Sequence, residues 1–311
     1  MVLLERLSNN NFENFKNLNL ERFSKDNYDK NFFEYYENEK FFLKIFLKKF
    51  VKLFIYGNDV IGYIWYEMPV EMPVRVWSLY IKTEYIDLLS PEILKCFNNT
   101  ILSYETSNDE DTNKMLTNLG FNKVKPSLLM NIKLSNYLKE SQVEILKKNL
   151  EYNSNVINSL TNLYNGNIRK INITTEKVIL NKEEELRCKI QNSVFSATTR
   201  IPLEVEDIQD DIEQDYYMED LSLFIKLNNI AIGYGQIIFN RDMYTVVNFG
   251  VLKEFRGYGF GKILLNDLIN RAKKLQINEL FIRVEENNYS ALKLYNWIGF
   301  KPKSIINKWE R

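Results

Sequence analysis

The chain contains only 11 glycines in 311 residues, yet Gly250, Gly257, Gly259 and Gly261 fall within one short stretch, Gly250-Val251-Leu-Lys-Glu-Phe-Arg256-Gly-Tyr258-Gly-Phe260-Gly-Lys262. Glycine lets a backbone take positive φ and approach a ligand closely. The stretch leads from a strand-like segment, Tyr244 to Val251, into an amphipathic helix, so free N–H groups and the positive end of the helix dipole face whatever the loop holds. A diphosphate is the group such a junction suits. A bare glycine-rich turn, a dinucleotide loop and a nucleotide P-loop compete as readings. The dinucleotide fingerprint needs G-x-G-x-x-G early in a βαβ unit, and here the pattern is G-x-G-x-G late in the chain. The P-loop needs wider spacing and Lys followed by Ser or Thr, whereas Ile263 follows Lys262.

Few other residues offer chemistry. There is no histidine, which excludes His-based triads, His general bases and His-containing metal sites, and no metal site is expected. The two cysteines, Cys96 and Cys188, form neither a CxxC pair nor a disulfide framework, so reduced thiols in the cytoplasm are expected. The acidic run Glu204 to Asp215 is read either as a solvated helix face or as an attractor for a cationic amine. Lys plus Arg equal Asp plus Glu at 41 each, so no basic excess supports nucleic-acid binding. Phe41 to Tyr56 is the most apolar stretch, but Lys44, Lys48, Lys49 and Lys52 interrupt it, so no membrane span is expected.

The elements that position the loop occur twice, in the same order. The first set has strands at Val51–Tyr56 and Val60–Tyr66 around a Gly57-Asn58-Asp59 turn, and a third at Val74–Ile81. A helical stretch follows at about Pro91–Asn99, then a strand at Ile101–Glu105 and a helix near Thr112–Leu119 with a Gly120-Phe121 cap. The second has strands at Leu221–Leu227, Ala231–Phe239 and Tyr244–Val251, then a helix at about Gly261–Leu275. A strand at Leu280–Val284 and a helix near Ser290–Ile298 follow, with a Gly299-Phe300 cap. Leu264, Leu268, Ala272 and Leu275 put one apolar face on the long helix. Local matches join the sets: Val60-Ile61-Gly62-Tyr63 with Ala231-Ile232-Gly233-Tyr234, and Leu119-Gly120-Phe121 with Ile298-Gly299-Phe300. About 150 residues per domain also suggests two domains.

Arg256-x-x-Gly259-x-Gly261, with Val251 five residues ahead, resembles the pyrophosphate loop of the GNAT N-acetyltransferase superfamily. Asn288-Tyr-Ser-Ala291-Leu-Lys-Leu294-Tyr295-Asn-Trp-Ile-Gly299-Phe300 is similar to that family's N-x-x-A-x-x-L-Y-x-x-x-G-F signature. The resemblance covers roughly Ile171 to Arg311. It implies acetyl-CoA as cofactor, with the pantetheine arm against backbone groups of Phe249, Gly250 and Val251 and the diphosphate on the amides of Arg256, Gly257, Tyr258, Gly259, Phe260, Gly261 and Lys262. A backbone N–H near Val251 would polarise the thioester carbonyl. Tyr295 falls at the family's position for the acid that protonates the leaving thiolate, or is an ordinary buried tyrosine of an amphipathic helix. Asn288 either holds the cofactor side of the site or caps the helix. Glu285, Glu219 and Asp220 are base candidates by rough location only.

The fold implied is α/β (α+β), with two tandem GNAT-like domains, each a mixed, mostly antiparallel twisted sheet flanked by helices. The expected division is a degenerate domain over 1–135, a connector over 136–170 and an intact domain over 171–311, an arrangement resembling mycothiol synthase and related two-GNAT proteins. The first domain has no glycine from Lys82 to Pro91 and has Leu116 where the second has Tyr295. The activity implied is direct acetyl transfer to a primary amine of a small-molecule or peptide acceptor, in a monomer or homodimer without nucleic-acid or membrane partners. A non-catalytic acyl-CoA-binding sensor or scaffold is the alternative.

Overall fold

The computed structural model describes residues 1–24, 27–69, 73–164, 170–196 and 201–311. It divides into two compact units, one comprising Met1–Leu128 with Ser304–Arg311, the other Leu129–Lys303. The chain's last residues therefore complete the first unit, and the stretch read as a connector falls in the second.

In chain order the first unit contains β1 (Val2–Arg6), α1 (Phe12–Phe23), α2 (Phe32–Asn38), α3 (Phe41–Lys48), β2 (Val51–Tyr56), β3 (Asp59–Tyr66), β4 (Val74–Ile81), β5 (Leu102–Ser107) and α4 (Glu110–Asn118). The strand β6 (Asn122–Lys133) starts in it and ends in the second unit. The second unit continues with α5 (Glu140–Leu150), α6 (Ser154–Tyr164), β7 (Ile173–Lys177), α7 (Glu184–Val194), α8 (Val205–Ile212), β8 (Ser222–Leu227), β9 (Ile230–Asn240), β10 (Met243–Val251), α9 (Phe260–Lys274), β11 (Glu279–Val284) and α10 (Tyr289–Ile298). Last comes β12 (Lys301–Glu310).

Within the first unit β1 to β4 form an antiparallel meander, β4 runs parallel to β5, and β12 pairs antiparallel with β5, Trp309 opposite Tyr104. Trp309 is buried in this unit's core beside Phe54, Leu79 and Leu116. Within the second unit β7 to β10 form the meander and β10 runs parallel to β11. Turn chemistry fixes these registers: Asn228 and Asn229 between β8 and β9, and Arg241 and Asp242 between β9 and β10, all take positive φ, the two-residue hairpin that matches strand twist.

The two units share an irregularity that periodicity alone could not produce. Phe54 pairs Gly62 and Ile55 pairs Val60, so Ile61 is an extra residue; Ile225 pairs Gly233 and Lys226 pairs Ala231, so Ile232 is the equivalent bulge. Each bulge is followed by a glycine with no room for a side chain. A Cβ on Gly62 would lie 2.3 Å from the Tyr80 oxygen, and one on Gly233 2.6 Å from the Gly250 oxygen. The next residues, Tyr63 and Tyr234, are both buried and bond serine hydroxyls, Ser78 at 2.8 Å and Ser222 at 2.7 Å. Beside each lies an arginine–aspartate pair, Arg22–Asp29 and Arg187–Asp211. Bulges and buried polar groups are kept for structural reasons, so this repetition supports two copies of one fold.

The copies differ after the third strand of each meander. In the first unit the chain enters short 3₁₀ helices, Thr83–Leu88 and Pro91–Phe97, the second of which falls on the helical stretch read over about Pro91–Asn99. Pro91 sits at the first turn and Leu94 has non-helical angles, so no aligned helix start forms there. In the second unit α9 follows the glycine loop. It buries Ile263, Leu264, Leu268, Ile269 and Ala272 on one face and carries Arg271, Lys273 and Lys274 at its negative end.

The stretch 136–170 contains α5 and α6, with 165–169 outside the described residues. The residues leading into α5 and the helix itself line α9: Tyr137 donates its hydroxyl to Asn266 Oδ1 at 2.6 Å, and Asn270 Nδ2 donates to Glu140 at 3.2 Å. Val143 and Leu150 are buried.

Candidate active site

The site is built where β10 parts from β11. The two strands pair only at Thr245–Phe281 and Val246–Ile282, while β10 stays on β9 to Val251. A bulge at Asn248, whose φ is +49°, turns the strand at this point. Leu252 N donates to Ile232 O at 2.8 Å. Because successive residues of a strand present their N–H and C=O to opposite sides, Val251 turns its N–H and carbonyl away from β9, into the gap. Gly250 instead faces its partner Tyr234, and its missing side chain is what matters: a Cβ there would lie 2.3 Å from Val194 Cγ1 on α7. Phe249 points to the other side, towards Gly235 and Gly261.

The glycine loop closes the end of the gap. Gly257 has φ of +87° and Gly259 +103°, backbone that side chains disfavour. A Cβ on Gly257 would meet nothing within 4 Å, so the loop is open on that side. Arg256 N donates to Lys253 O, and Lys262 N to Gly259 O, so the two ends of the expected amide cradle take internal partners. The amides of Gly257 to Gly261 have no backbone partner among the described residues and lie at the start of α9. That set of donors, at a positive helix end with open space before it, fits a diphosphate.

The Arg256 guanidinium is engaged elsewhere. Its Nε donates to Val251 O and its Nη2 to Val194 O, both at 2.8 Å, tying the loop to the ends of β10 and α7. Lys262 extends over the Trp297 ring, its Nζ 4.0 Å from the centroid.

Tyr295, on α10, packs its ring near Phe249 and Phe300, with centroids 6.3 and 6.1 Å away. Burial pushes its phenol well above the ordinary tyrosine range, so it keeps its proton at any physiological pH. Asn288 is the helix cap: its Oδ1 accepts from Ala291 N at 3.1 Å. At the other end Gly299, with φ of +117°, terminates α10 as the Tyr295 carbonyl accepts from both Gly299 and Phe300.

Other candidates separate from this group. Glu219 and Asp220 bond Lys177 at the start of β8, three strands and so roughly 14 Å from β11 across the sheet. Glu285 is exposed just past β11. Cys188 is buried, with its thiol against Leu203 O and its pKa raised by burial, and is no nucleophile. In the acidic run Glu204 and Asp207 form a capping box on α8, and Asp211 pairs with Arg187. Among the described residues no group of three or more Cys, Asp or Glu is placed to hold a metal, and no helix is long and apolar enough to cross a membrane.

The sequence reading missed α5, whose Leu146 would touch a Cβ on Gly259 at 2.8 Å, and Trp297 beside Lys262. The spacing Val143, Leu146, Leu150 was a helical signal for α5.

Part of this chain resembles known proteins. Residues 191–300 match the model of the Acetyltransferase (GNAT) family. A stretch of 85 residues is 38% identical to the [ribosomal protein bS18]-alanine N-acetyltransferase of Haemophilus influenzae, covering 27% of this chain and 58% of that protein. The chain thus spans little more than half the length of that relative. Among solved structures, a GCN5-related N-acetyltransferase from Sphaerobacter thermophilus superposes with a TM-score of 0.66 at 11% identity, over 100% of this chain and 95% of that one. A tandem GNAT protein from the clavulanic acid biosynthesis pathway superposes with a TM-score of 0.54 at 12% identity, over 84% and 82% of the two chains. At such identities the likeness is one of fold. The stretch that matches the GNAT acetyltransferase family model spans β8 to α10, and takes in the parted strands, the glycine loop and Tyr295 alike.

Proposed function

We propose that the second unit is an acetyl-CoA-dependent N-acetyltransferase that passes the acetyl group directly to a primary amine of a small-molecule or peptidyl acceptor. The observation that carries this reading is the buried Tyr295, packed near Phe249 beside the gap between β10 and β11, at whose end lie the amides of Gly257 to Gly261 that have no backbone partner among the described residues. Acetyl-CoA, when bound, would supply the thioester that an amine would attack, a C–N bond forming as the C–S bond breaks. The Val251 amide, turned into the gap, polarises the carbonyl. The Tyr295 hydroxyl donates to the departing sulfur. Its raised pKa makes it a weaker acid than a thiol of pKa about 8.5, so it acts by a hydrogen bond that strengthens as thiolate charge develops. The proton shed by the amine leaves to water. The named Haemophilus relative is a [ribosomal protein bS18]-alanine N-acetyltransferase, which makes peptidyl amines worth including in any acceptor panel. The two free cysteines suit a reducing compartment such as the cytoplasm.

A non-catalytic acyl-CoA sensor or scaffold is the second reading, favoured by the engagement of Glu219 and Asp220 with Lys177, which leaves neither as a base. Thiol release from acetyl-CoA across a panel of small and peptidyl amines distinguishes the two. Amine-dependent release that falls in Tyr295→Phe with cofactor binding retained supports the enzyme; binding without release under any amine supports the sensor.

A further inference from the structure

The start of α9 lies between two helices. Leu146 of α5 meets Gly259, Leu294 of α10 lies 3.2 Å from a Cβ placed on Gly261, and Trp297 of α10 lies under the Lys262 ammonium. A second ammonium, that of Lys139, stands 5.2 Å from the same Trp297 centroid and reaches Gln142 Oε1 at 3.3 Å. Neither lysine has a carboxylate partner among the described residues, while the neighbouring Glu140 is taken by Asn270. Two positive charges on one half-buried indole, immediately beside a diphosphate cradle, are an unbalanced charge next to an aromatic surface. Lys139 and α5 lie outside the stretch that matches the family model.

We infer that Lys139, Lys262 and Trp297 form the subsite for the 3′-phosphoadenosine end of coenzyme A, with α5 as an added wall that holds Lys139 in place. The inference rests on the cofactor reading above. A dianionic phosphate suits two ammoniums that lack carboxylates, a purine can lie on an indole face, and both groups continue from the diphosphate in the ligand. Lys139 is fixed by its neighbours: Tyr137 and Glu140, two residues before it and one after, both bond α9.

The test compares coenzyme A with 3′-dephospho-coenzyme A by calorimetric titration of the full chain, in wild type, Lys139→Met, Lys262→Met and the double variant. Wild type should bind coenzyme A about tenfold or more tightly than the dephospho form, the size of one charge-assisted hydrogen bond. Each single variant should weaken coenzyme A binding more than dephospho-coenzyme A binding, Lys139→Met should leave the dephospho affinity unchanged, and the double variant should bring the ratio close to one. An unchanged ratio in the double variant, or no preference in wild type, overturns the subsite while leaving the cofactor reading intact. No binding of either compound to wild type overturns both. Unchanged circular dichroism and melting temperature in the variants exclude misfolding.

Discussion

Arg256 Nε donates to the carbonyl oxygen of Val251 at 2.8 Å, so the family's loop arginine braces the strand whose amide faces the gap rather than reaching for the diphosphate. Its second bond, to Val194 O, clamps α7 onto the same point. Arg256→Leu should therefore act through geometry. Each lost charge-assisted bond is worth about 1.5 kcal/mol or more when buried and less at this partly exposed site, so the melting temperature should fall by a few degrees. If Val251 drifts, kcat should fall more than acetyl-CoA affinity. Steady-state kinetics with a reactive amine check this; a pure KM effect would mean that the guanidinium binds the cofactor directly.

Tyr295→Phe removes only the hydroxyl from a ring packed between Phe249 and Phe300. Stability should change little. Loss of a positioned proton donor costs on the order of a hundredfold in kcat, with KM for acetyl-CoA nearly unchanged. An undiminished kcat would return Tyr295 to the role of a core residue.

Gly257 and Gly259 separate two costs of the loop. Both have positive φ, but a Cβ on Gly257 meets open space and one on Gly259 meets Leu146 at 2.8 Å. Gly257→Ala should cost about 1 kcal/mol from backbone strain alone, and Gly259→Ala more. Adding Leu146→Ala should recover about 0.5–1 kcal/mol in the Gly259→Ala background, a coupling absent with Gly257→Ala. Urea denaturation of the three single and two double variants measures both terms.

What could be seen in the sequence was local. Asn228-Asn229, Gly299 and the glycine loop announce their backbone angles through residue type, and strand alternation and the α9 stripe announce their faces. What could not be seen depends on distant partners. Trp309 belongs to the first unit because its strand lies on Tyr104, some two hundred residues earlier, and no local pattern encodes that choice. Asp211 was legible only as one carboxylate of an acidic run, and nothing in the sequence singles out Arg187; the approach of Tyr234 and Gln236 from β9 makes the two a buried network.

That network gives a further expectation. Arg187 is 1% exposed, and its guanidinium bonds Asp211 and Gln236 Oε1. Asp211→Ala leaves a buried cation without its counter-charge, which costs about 3–5 kcal/mol. The adjacent Asp210 is exposed, and Asp210→Ala should stay within about 0.5 kcal/mol. Equal effects in chemical denaturation would mean that the run acts as a surface charge cluster and that Asp211 has no special place in it.

The buried tyrosines set the alkaline limit of the fold. Burial raises the pKa of Tyr63, Tyr104, Tyr234 and Tyr295 above the unfolded value, which is about 10. A raised native pKa means that the folded state holds its proton more tightly. The stability this provides is complete below pH 10 and is lost as pH rises from there towards the native values. Unfolding free energy should therefore be level through pH 8 to 9 as far as these groups are concerned, and then decline by up to about 1.4 kcal/mol per pH unit for each tyrosine. The catalytic profile should follow the same logic: because Tyr295 must stay protonated to act, no alkaline loss of kcat from its ionisation should appear below pH 10. Stopped-flow measurement of kcat, fast enough to precede unfolding, tests this directly. A descending limb centred near pH 8 that vanishes in Tyr295→Phe would show that the phenol titrates in the working range and is not shielded by Phe249 and Phe300.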